Sequence, residues 1–369
     1  MKFFAYLFLL LLLLAAGSAA WLWYCVQTPY QHFPAEGVFV EVPHGASRRA
    51  VSHLLQKNGV IRSAIAFEIY ARRHKRRTLQ AGEYFFDHAV NTKDVFYTLA
   101  NGDIYAQPFT VKEGETIFDI GRDLQAGKFM TSNEFVQAAN DPTLIHDLAP
   151  QAKTLEGFLF PSTYRLPRHP RAAELTSEMV KKFKEEWTRI IADGMDAEKT
   201  PASSLPLQMV VTLASLVERE TPRPEERPLV AGVFQNRLRH GIPLQCDPTV
   251  IYALERVGSY KGSLSGKDLH FDSPYNTYEN RGLPPGPIGN PGEASLRAAL
   301  HPATTDYLYF VANTEGGHFF SATLAQHNKN VVKYRRLLAG LPAEPPPPPP
   351  APPARKKTRA KREKARRDE

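Results

Sequence analysis

Two glutamates close a long apolar segment in the middle of the chain, the stretch PLQMVVTLASLVERETPRP from 206 to 224. On a helix at 100° per residue, Glu218 lies at the border of the apolar stripe and Glu220 lies about 200° away. Side chains two residues apart on a regular helix do not face each other, so these carboxyls are not an acid/base dyad. We expect Glu218 to be a general acid, because aliphatic neighbours beside an open cleft raise the pKa of a carboxyl. We expect Glu220 to be a structural group that pairs with an arginine.

The same wheel predicts which side of this helix faces water. Leu207, Val211 and Ala214 fall within about 40° of Glu218, on the side that packs. The polar residues gather on a neighbouring side, which we expect to be solvated: Gln208, Thr212, Ser215 and Arg219.

Metal and nucleophile chemistries find little support in the sequence. The 12 histidines include no HExxH pair, and neither a G-x-S-x-G elbow nor a phosphate-binding Gly-Lys loop occurs. Cys25 and Cys246 lie far apart, one in the apolar N-terminus and one in the body, so no cysteine metal site is expected. We expect neither a metal nor a cofactor.

The N-terminus carries an uncharged run from Phe3 to Val26, longer than the roughly 20 residues that span a bilayer as a helix. Lys2 precedes the run and no Lys or Arg follows it before Arg48, which places the N-terminus in the cytoplasm and the body outside. We therefore predict a transmembrane anchor over residues 1–26, in the inner (cytoplasmic) membrane. A cleaved signal peptide is the alternative, because 18–20 reads Ser-Ala-Ala.

Charge is concentrated at the other end of the chain. The formal net charge is +8, and residues 355–369 hold nine Lys/Arg and three Asp/Glu, so they carry +6 and the rest +2. A body so close to neutral gives no case for nucleic acid binding. We predict a Pro-rich linker over 341–354 and a basic, disordered tail over 355–369.

A gapless repeat organises residues 37–150. The segment 42–63 (VPHGASRRAVSHLLQKNGVIRS) aligns with 111–132 (VKEGETIFDIGRDLQAGKFMTS). Each copy predicts a strand, a Gly turn, a capped amphipathic helix and a second capped helix. We expect the closing strands at 81–86 and 156–164. The first copy resembles a LysM-like module, a family fold that holds N-acetylated glycans; a purely spacing role is the alternative.

Residues 151–340 predict a mixed helical domain that ends in a β-hairpin. Helix periodicity covers 172–194, the segment with the two glutamates, and the stretch PEERPLVAGVFQNRLRHG. The segment DYLYFVANTEGGHFFSAT predicts a hairpin around Thr314 to Gly317, followed by a helix from about Leu324 to Leu338. The predicted fold class is thus α+β: a membrane helix, small α+β modules, and a mixed catalytic domain.

Several blocks in consecutive order resemble one family. TLASLVERET, VFQNRLRHGIPLQCDPTVIYAL, SPYNTYENRGLPPGPIGNPGEASLRAALHPA and YLYFVANTEGGHFFSATLAQHNKNVVKYR, with LEGFLFPSTY, are similar to the YceG-like endolytic murein transglycosylases. The resemblance covers about 154–338 and implies that the first glutamate of the V-E-[KR]-E segment, Glu218, is the catalytic acid.

The resemblance implies cleavage of the β-1,4 bond between N-acetylmuramic acid and N-acetylglucosamine without water. Glu218 would protonate the leaving oxygen and then accept the proton of the muramoyl 6-hydroxyl as it attacks C1, which leaves a 1,6-anhydro end. Peptidoglycan strands are the implied substrate, and peptidoglycan synthases are candidate partners. Amides, hydroxyls and aromatic faces suit the binding of an acetamido sugar. The candidates are Asn236, Gln245, Asp247, Tyr275, Asn276, Thr277 and Asn313.

Two alternatives stay open at this point. A muramidase hydrolase would need a second carboxylate, for which Asp247, Asp272 and Glu279 are available. A non-catalytic, membrane-anchored adaptor would bind glycan without cutting it. For each candidate binding residue, capping of a loop or helix is the structural alternative.

Overall fold

A computed structural model of the chain describes residues 2–195 and 205–343. The predicted basic tail and most of the Pro-rich linker lie outside these residues. Within them, twelve α-helices combine with six strands in three antiparallel pairs, which confirms the α+β class. The helices are α1 (Lys2–Gln27), α2 (Arg48–Lys57), α3 (Ala64–Arg73), α4 (Thr92–Asn101), α5 (Ile117–Ala126), α6 (Ser132–Ala139), α7 (Ala172–Met195), α8 (Leu207–Glu220), α9 (Arg227–Arg239), α10 (Asp247–Arg256), α11 (Glu293–Leu300) and α12 (Leu324–Leu338). The strands are β1 (Val38–Val42), β2 (Gly82–Phe86), β3 (Gln107–Thr110), β4 (Thr163–Leu166), β5 (Tyr309–Ala312) and β6 (His318–Ser321).

The first module, 38–101, has a core of its own. β1 pairs with β2, with Val40 opposite Tyr84, and α2, α3 and α4 complete the module. Each buried Val, Leu or Phe contributes about 1.5–3 kcal/mol relative to exposure. The buried set includes Val42, Val51, Leu55, Phe67, Phe86, Val95, Phe96 and Leu99.

Helix α1 packs its last turn on this module. It is apolar and long enough to cross a membrane, with a mean hydropathy of 2.3. Cys25 and Val26 are buried against Ala66 of α3. Thr92, at the start of α4, donates its hydroxyl to the Cys25 carbonyl oxygen at 2.9 Å. The apolar helix and the first module are therefore joined by packing as well as by the chain.

The structure confirms the repeat. The order β1-α2-α3-β2 recurs as β3-α5-α6-β4. Gly45 and Gly114 both have left-handed backbones, with φ of 75° and 81°, where a side chain is strained. Ser47 and Thr116 both accept a backbone N–H as helix caps. The strand predicted at 156–164 is wrong in its position, because β4 covers Thr163–Leu166.

The second copy does not close a separate core. β3 pairs with β4, which lies beyond residue 150. The predicted boundary between 150 and 151 thus falls inside a continuous core, and the second repeat packs with the region that contains α8. One buried cluster includes Phe109, Ile117, Phe135, Phe158, Val211 and Phe234.

Helix α8 runs through this core, and residues 210–217 are all buried. The prediction of a solvated polar side is wrong for Thr212 and Ser215, which are buried, while Gln208 and Arg219 are half-buried and bond to the loop 283–292. Polar side chains of the helix satisfy backbone groups of a loop whose prolines offer few N–H donors. Three hydrogen bonds do this: Gln208 Nε2 to Pro285 O (3.2 Å), Ile288 N to Ser215 Oγ (3.0 Å) and Arg219 Nη1 to Ile288 O (3.1 Å).

The predicted hairpin is present as β5 and β6, with Ala312 opposite His318. Helix α12 follows it at the predicted position, capped by Thr323. The hairpin thus carries His318 back toward the helices of the core.

Candidate functional site

Glu218 lies in the last turn of α8 with its side chain only 4 % exposed. Its Oε1 accepts a hydrogen bond from Arg227 Nη2 at 2.7 Å, and its Oε2 accepts the Gly292 N–H at 2.9 Å. The structure thus gives Glu218 the arginine partner that the sequence assigned to Glu220. The hydrogen-bond partners of Glu218 in the described residues include none of the polar residues predicted to bind substrate.

A second carboxylate shares the arginine. Glu113, from the loop after β3, lies 3.4 Å from Arg227 Nη2. A Cβ at Gly292 would lie 1.9 Å from Glu113 Oε1, so the carboxyl occupies the space that a side chain would need there. We call Glu113, Glu218 and Arg227 the clasp, since they join the β3–α5 loop, α8 and α9.

Burial dominates the titration of Glu218 within the clasp. It raises the pKa of Glu218, and the nearby charge of Glu113 acts in the same direction. The Gly292 N–H and the Arg227 guanidinium oppose this rise without cancelling it.

Glu220, the last residue of α8, projects on the other side of the helix. It forms no ion pair within 4 Å in the parts of the chain that the structure describes, 2–195 and 205–343. Its surroundings come from three other elements: the Cys246 thiol hydrogen-bonds to the carboxylate, and the charges of Asp247, His318 and Arg237 act on it. Burial raises the pKa of Glu220, and Asp247 adds to the rise; Cys246, His318 and Arg237 oppose it.

The segment before α10 is held beside Glu220 by the loop 275–278. The Gln245 N–H donates to the Thr277 carbonyl oxygen at 3.1 Å, and the Cys246 N–H donates to Thr277 Oγ1 at 3.0 Å. Gln245 is exposed and has a φ of 51°, a left-handed conformation that costs a non-glycine residue about 1–3 kcal/mol. Asp247 is exposed and accepts the Tyr278 hydroxyl at 2.5 Å. Gln245 and Asp247 thus present exposed polar groups on this side.

Three predicted binding residues instead build the loops. Thr277 is buried and bridges Cys246 N and the Thr249 hydroxyl, the latter at 2.9 Å. Asn276 is buried; its Nδ2 donates to the carbonyl oxygens of Leu269 and Phe271, both at 2.9 Å. Asn236 is buried in α9 and holds the segment before β5 through Thr305 O (2.7 Å) and Tyr307 O (2.8 Å).

The remaining two predicted residues, Tyr275 and Asn313, have contacts of a different kind. Tyr275 packs against Tyr252, with ring centroids 5.0 Å apart, and the Arg256 guanidinium lies 4.8 Å from the centre of its ring. Asn313 shapes the hairpin turn, because its Oδ1 accepts the N–H groups of Glu315 (2.8 Å) and Gly317 (2.9 Å). These contacts match the structural alternative for Asn313.

Sequence reasoning missed four residues around Glu220, namely Glu226, Arg237, Tyr278 and His318. Arg237 donates Nε–H to Leu308 O (2.7 Å) and Nη1–H to Leu244 O (2.8 Å), which fixes its guanidinium. His318 Nδ1 lies 2.7 Å from Glu226 Oε2, and its backbone N–H donates to Glu226 Oε1 at 2.9 Å. Burial opposes ionisation of Glu226, but the bonds from His318 outweigh it and lower its pKa. Tyr278, the fourth of these residues, donates its hydroxyl to Asp247. Arg237, Tyr278 and His318 lie in the blocks quoted above, but only the fold shows that they converge.

The cluster suits proton transfer to a bound sugar. We call Glu220, Arg237, Gln245, Asp247, Tyr278 and His318 the Glu220 cluster. It combines a carboxyl of raised pKa, which keeps its proton to a higher pH than a free glutamate does, with fixed donors that stabilise the developing charge. Glu218, by contrast, uses both oxygens in contacts with its own fold.

The chain is similar to known proteins over most of its length. Residues 40–333 match the YceG-like family. The endolytic murein transglycosylase of Bacillus subtilis is 36 % identical over 312 residues, covering 80 % of this chain and 84 % of that protein. The protein of the same name from Streptococcus pneumoniae serotype 2 is 29 % identical over 332 residues, and the match covers 58 % of it. A crystal structure of a yceG-like protein from Listeria monocytogenes has a TM-score of 0.52 and 33 % identity, covering 80 % of this chain and 99 % of that one.

Proposed function

This chain belongs to the YceG-like family, and from that premise we propose how it works as a peptidoglycan lytic transglycosylase. Glu220, rather than Glu218, is the general acid. The observation that carries this assignment is the grouping of Asp247, Arg237 and His318 around Glu220, while Glu218 is ion-paired and 4 % exposed.

The reaction needs one carboxyl in two consecutive roles. Protonated Glu220 gives its proton to the glycosidic oxygen as the bond from C1 to that oxygen breaks. The muramoyl 6-hydroxyl oxygen then bonds to C1, and its proton passes to the Glu220 carboxylate, which restores the acid. Water takes no part, so the product is a 1,6-anhydro end. The raised pKa of Glu220 favours the protonated starting form.

The neighbouring groups have separate tasks in this proposal. The fixed guanidinium of Arg237 and the imidazole of His318 stabilise the carboxylate that forms when Glu220 gives up its proton. Asp247, oriented by Tyr278, faces the positive charge that develops at the sugar ring. The exposed Gln245 amide is the candidate for holding an acetamido group.

The hydrolase alternative keeps one observation in its favour. Of the three carboxylates considered, Asp247 is the one whose charge acts on the pKa of Glu220. Glu279 instead lies 2.7 Å from His270 as an exposed pair. A water activated by Asp247 would give a reducing end in place of an anhydro end.

Mass spectrometry of the digestion products tests the reaction. The full chain is incubated with uncrosslinked peptidoglycan strands, and the new muramic ends are weighed. We expect anhydro ends, lighter by one water than reducing ends. Reducing ends would contradict the lyase reaction and support Asp247 as a second carboxylate; the absence of cutting would support an adaptor.

We also propose that α1 is retained as an anchor and that the rest of the chain acts outside the inner membrane. The contact between α1 and the first module supports retention, because it reaches Ala19, which lines a cavity with Ile69 and Arg73 and would be lost on cleavage after Ala20. The first module, by its LysM likeness in sequence, would hold the strand. Nascent strands and the synthases that make them are then the nearest partners, and a pull-down of the full chain from membranes without any synthase would argue against that association.

A further inference from the structure

Helix α3 lies beside the end of α1. Ala66 packs on Cys25 and Val26, and Leu22 and Tyr70 pack against this cluster. Arg73, at the end of α3, lines the same cavity of about 310 Å³ as Ala19. The surface that α3 shares with α1 therefore runs from Val26 back to Ala19.

This shared surface sets the depth of α3 relative to a bilayer. About 20 residues at 1.5 Å each cross the hydrocarbon core, so a span that begins at Phe3 reaches the far interface near Leu22. Trp21 and Trp23 are 47 % and 64 % exposed there, as expected of an interfacial aromatic belt. Residues 19–26 of α1, beside which α3 lies, thus extend across this interface, so the last turn of α3 lies close to the lipid headgroups.

The segment at that level is strongly basic. We call Arg72, Arg73, Lys75 and Arg76 the basic turn; all four are exposed. The one carboxylate that pairs with it in the described chain is Glu68, 3.7 Å from Arg72. Arg48, which precedes it in the chain, stabilises the backbone of the turn: its Nη2 donates to the carbonyl oxygens of Lys75 (3.3 Å) and Arg77 (3.4 Å). The charges are therefore held together and face away from the module.

An apolar edge adjoins these charges. Ile65 is 63 % exposed and Ile69 is 36 % exposed, and Ile69 lines the cavity between the two helices. Basic groups beside exposed aliphatic groups are typical of a surface that lies in the interface of an anionic membrane.

We propose that the basic turn binds the headgroups of anionic phospholipids in the membrane that α1 crosses. The inference rests on the proposed anchor. Each Lys or Arg at such a surface contributes about 1 kcal/mol, roughly fivefold in affinity, so four together bind firmly. Bound in this way, the first module keeps a fixed height and orientation above the bilayer.

Native mass spectrometry of the full chain tests the proposal. The chain in detergent is titrated with phosphatidylglycerol and, separately, with phosphatidylcholine, and bound lipids are counted. One variant changes all four residues of the basic turn to Gln. The matched control changes four exposed cations elsewhere to Gln, namely Lys153, Lys261, Lys267 and Lys329. The basic tail is present in every variant.

We expect the wild type and the control to bind phosphatidylglycerol at least tenfold more tightly than phosphatidylcholine, and the basic-turn variant to lose this preference. Equal preference in the basic-turn variant would overturn the proposal. A second measurement needs no variant: amide exchange of 64–77 in nanodiscs should slow with phosphatidylglycerol relative to phosphatidylcholine, and equal exchange would also overturn it.

Failure of the premises is distinguishable from failure of the inference. The intact mass of the membrane-purified chain tests the anchor, and a chain that begins at Trp21 would overturn the proposal through that premise. Cutting of uncrosslinked strands tests the enzyme separately.

Discussion

The clasp predicts that Glu218 contributes to stability, whereas Glu220 contributes to catalysis. Glu218→Gln removes the negative charge from a pair whose side chains are 4 % and 6 % exposed. Loss of one partner from a buried ion pair costs about 3–5 kcal/mol, because the other charge stays buried. Glu113 remains 3.4 Å from Arg227, but its side chain is 49 % exposed, so it offsets only part of the loss. We therefore expect Glu218→Gln to lower the free energy of unfolding by about 3 kcal/mol, the low end of this range.

For a domain of this size, that loss lowers the melting temperature by about 6–12 °C. Thermal unfolding of the full chain, followed by circular dichroism, measures it. Arg227→Met should lower the melting temperature less at pH 5 than at pH 8. The reason is that Glu218, left without its arginine, has a raised pKa and is protonated more readily at low pH. The double variant Glu218→Gln with Arg227→Met should recover part of the loss. Glu174→Gln, at an exposed pair with Arg171, is the matched control and should leave the melting temperature unchanged.

Activity below the melting temperature completes the experiment. We expect folded Glu218→Gln to keep cutting uncrosslinked strands at more than a tenth of the wild-type rate. A variant that melts like the wild type and yet cuts nothing would refute the clasp and return the acid role to Glu218.

Three further predictions concern single groups. Burial raises the pKa of Glu156 from 4.5 to about 8, so the folded state holds a proton that the unfolded state releases between these pH values. The contribution of Glu156 to stability therefore falls as pH rises from about 4.5 to 8. Glu156→Gln should make the melting temperature less dependent on pH over that range. Parallel curves for the two proteins would contradict this. Cys246→Val removes a hydrogen bond that lowers the pKa of Glu220, so the basic limb of the kcat/KM profile should move to higher pH, while Cys246→Ser should restore the wild-type profile. Tyr278→Phe frees Asp247 and should lower kcat/KM about tenfold with little change in melting temperature; an unchanged kcat/KM would remove Asp247 from the mechanism.

Local signals in the sequence were sufficient to predict most of the helices, turns and strands. The Ser47 and Thr116 caps, the Gly45 and Gly114 turns and the hydrophobic periodicity identified both copies of the repeat. The hairpin and α12 followed from alternation and turn residues in the same way. These features depend on neighbours within a few residues, which a sequence shows directly.

The assignment of the site required contacts that a helical wheel does not contain. The wheel treats the polar side of α8 as wet, but a loop about 75 residues downstream covers it and bonds to Ser215 at 3.0 Å. The choice between Glu218 and Glu220 likewise depends on Arg227, Asp247 and His318, which reach the helix end from three other elements. The family blocks contained nearly all of these residues without showing which carboxyl they face.

Substitution of Glu220 tests the central claim most directly. Glu220→Gln and Glu218→Gln are compared with the wild type on uncrosslinked strands, at a temperature where thermal unfolding shows all three folded. Loss of a general acid costs about 10²–10⁴ in rate, so we predict at least a hundredfold loss of anhydro-end formation for Glu220→Gln alone. Anhydro ends formed by Glu220→Gln at the wild-type rate would contradict the account.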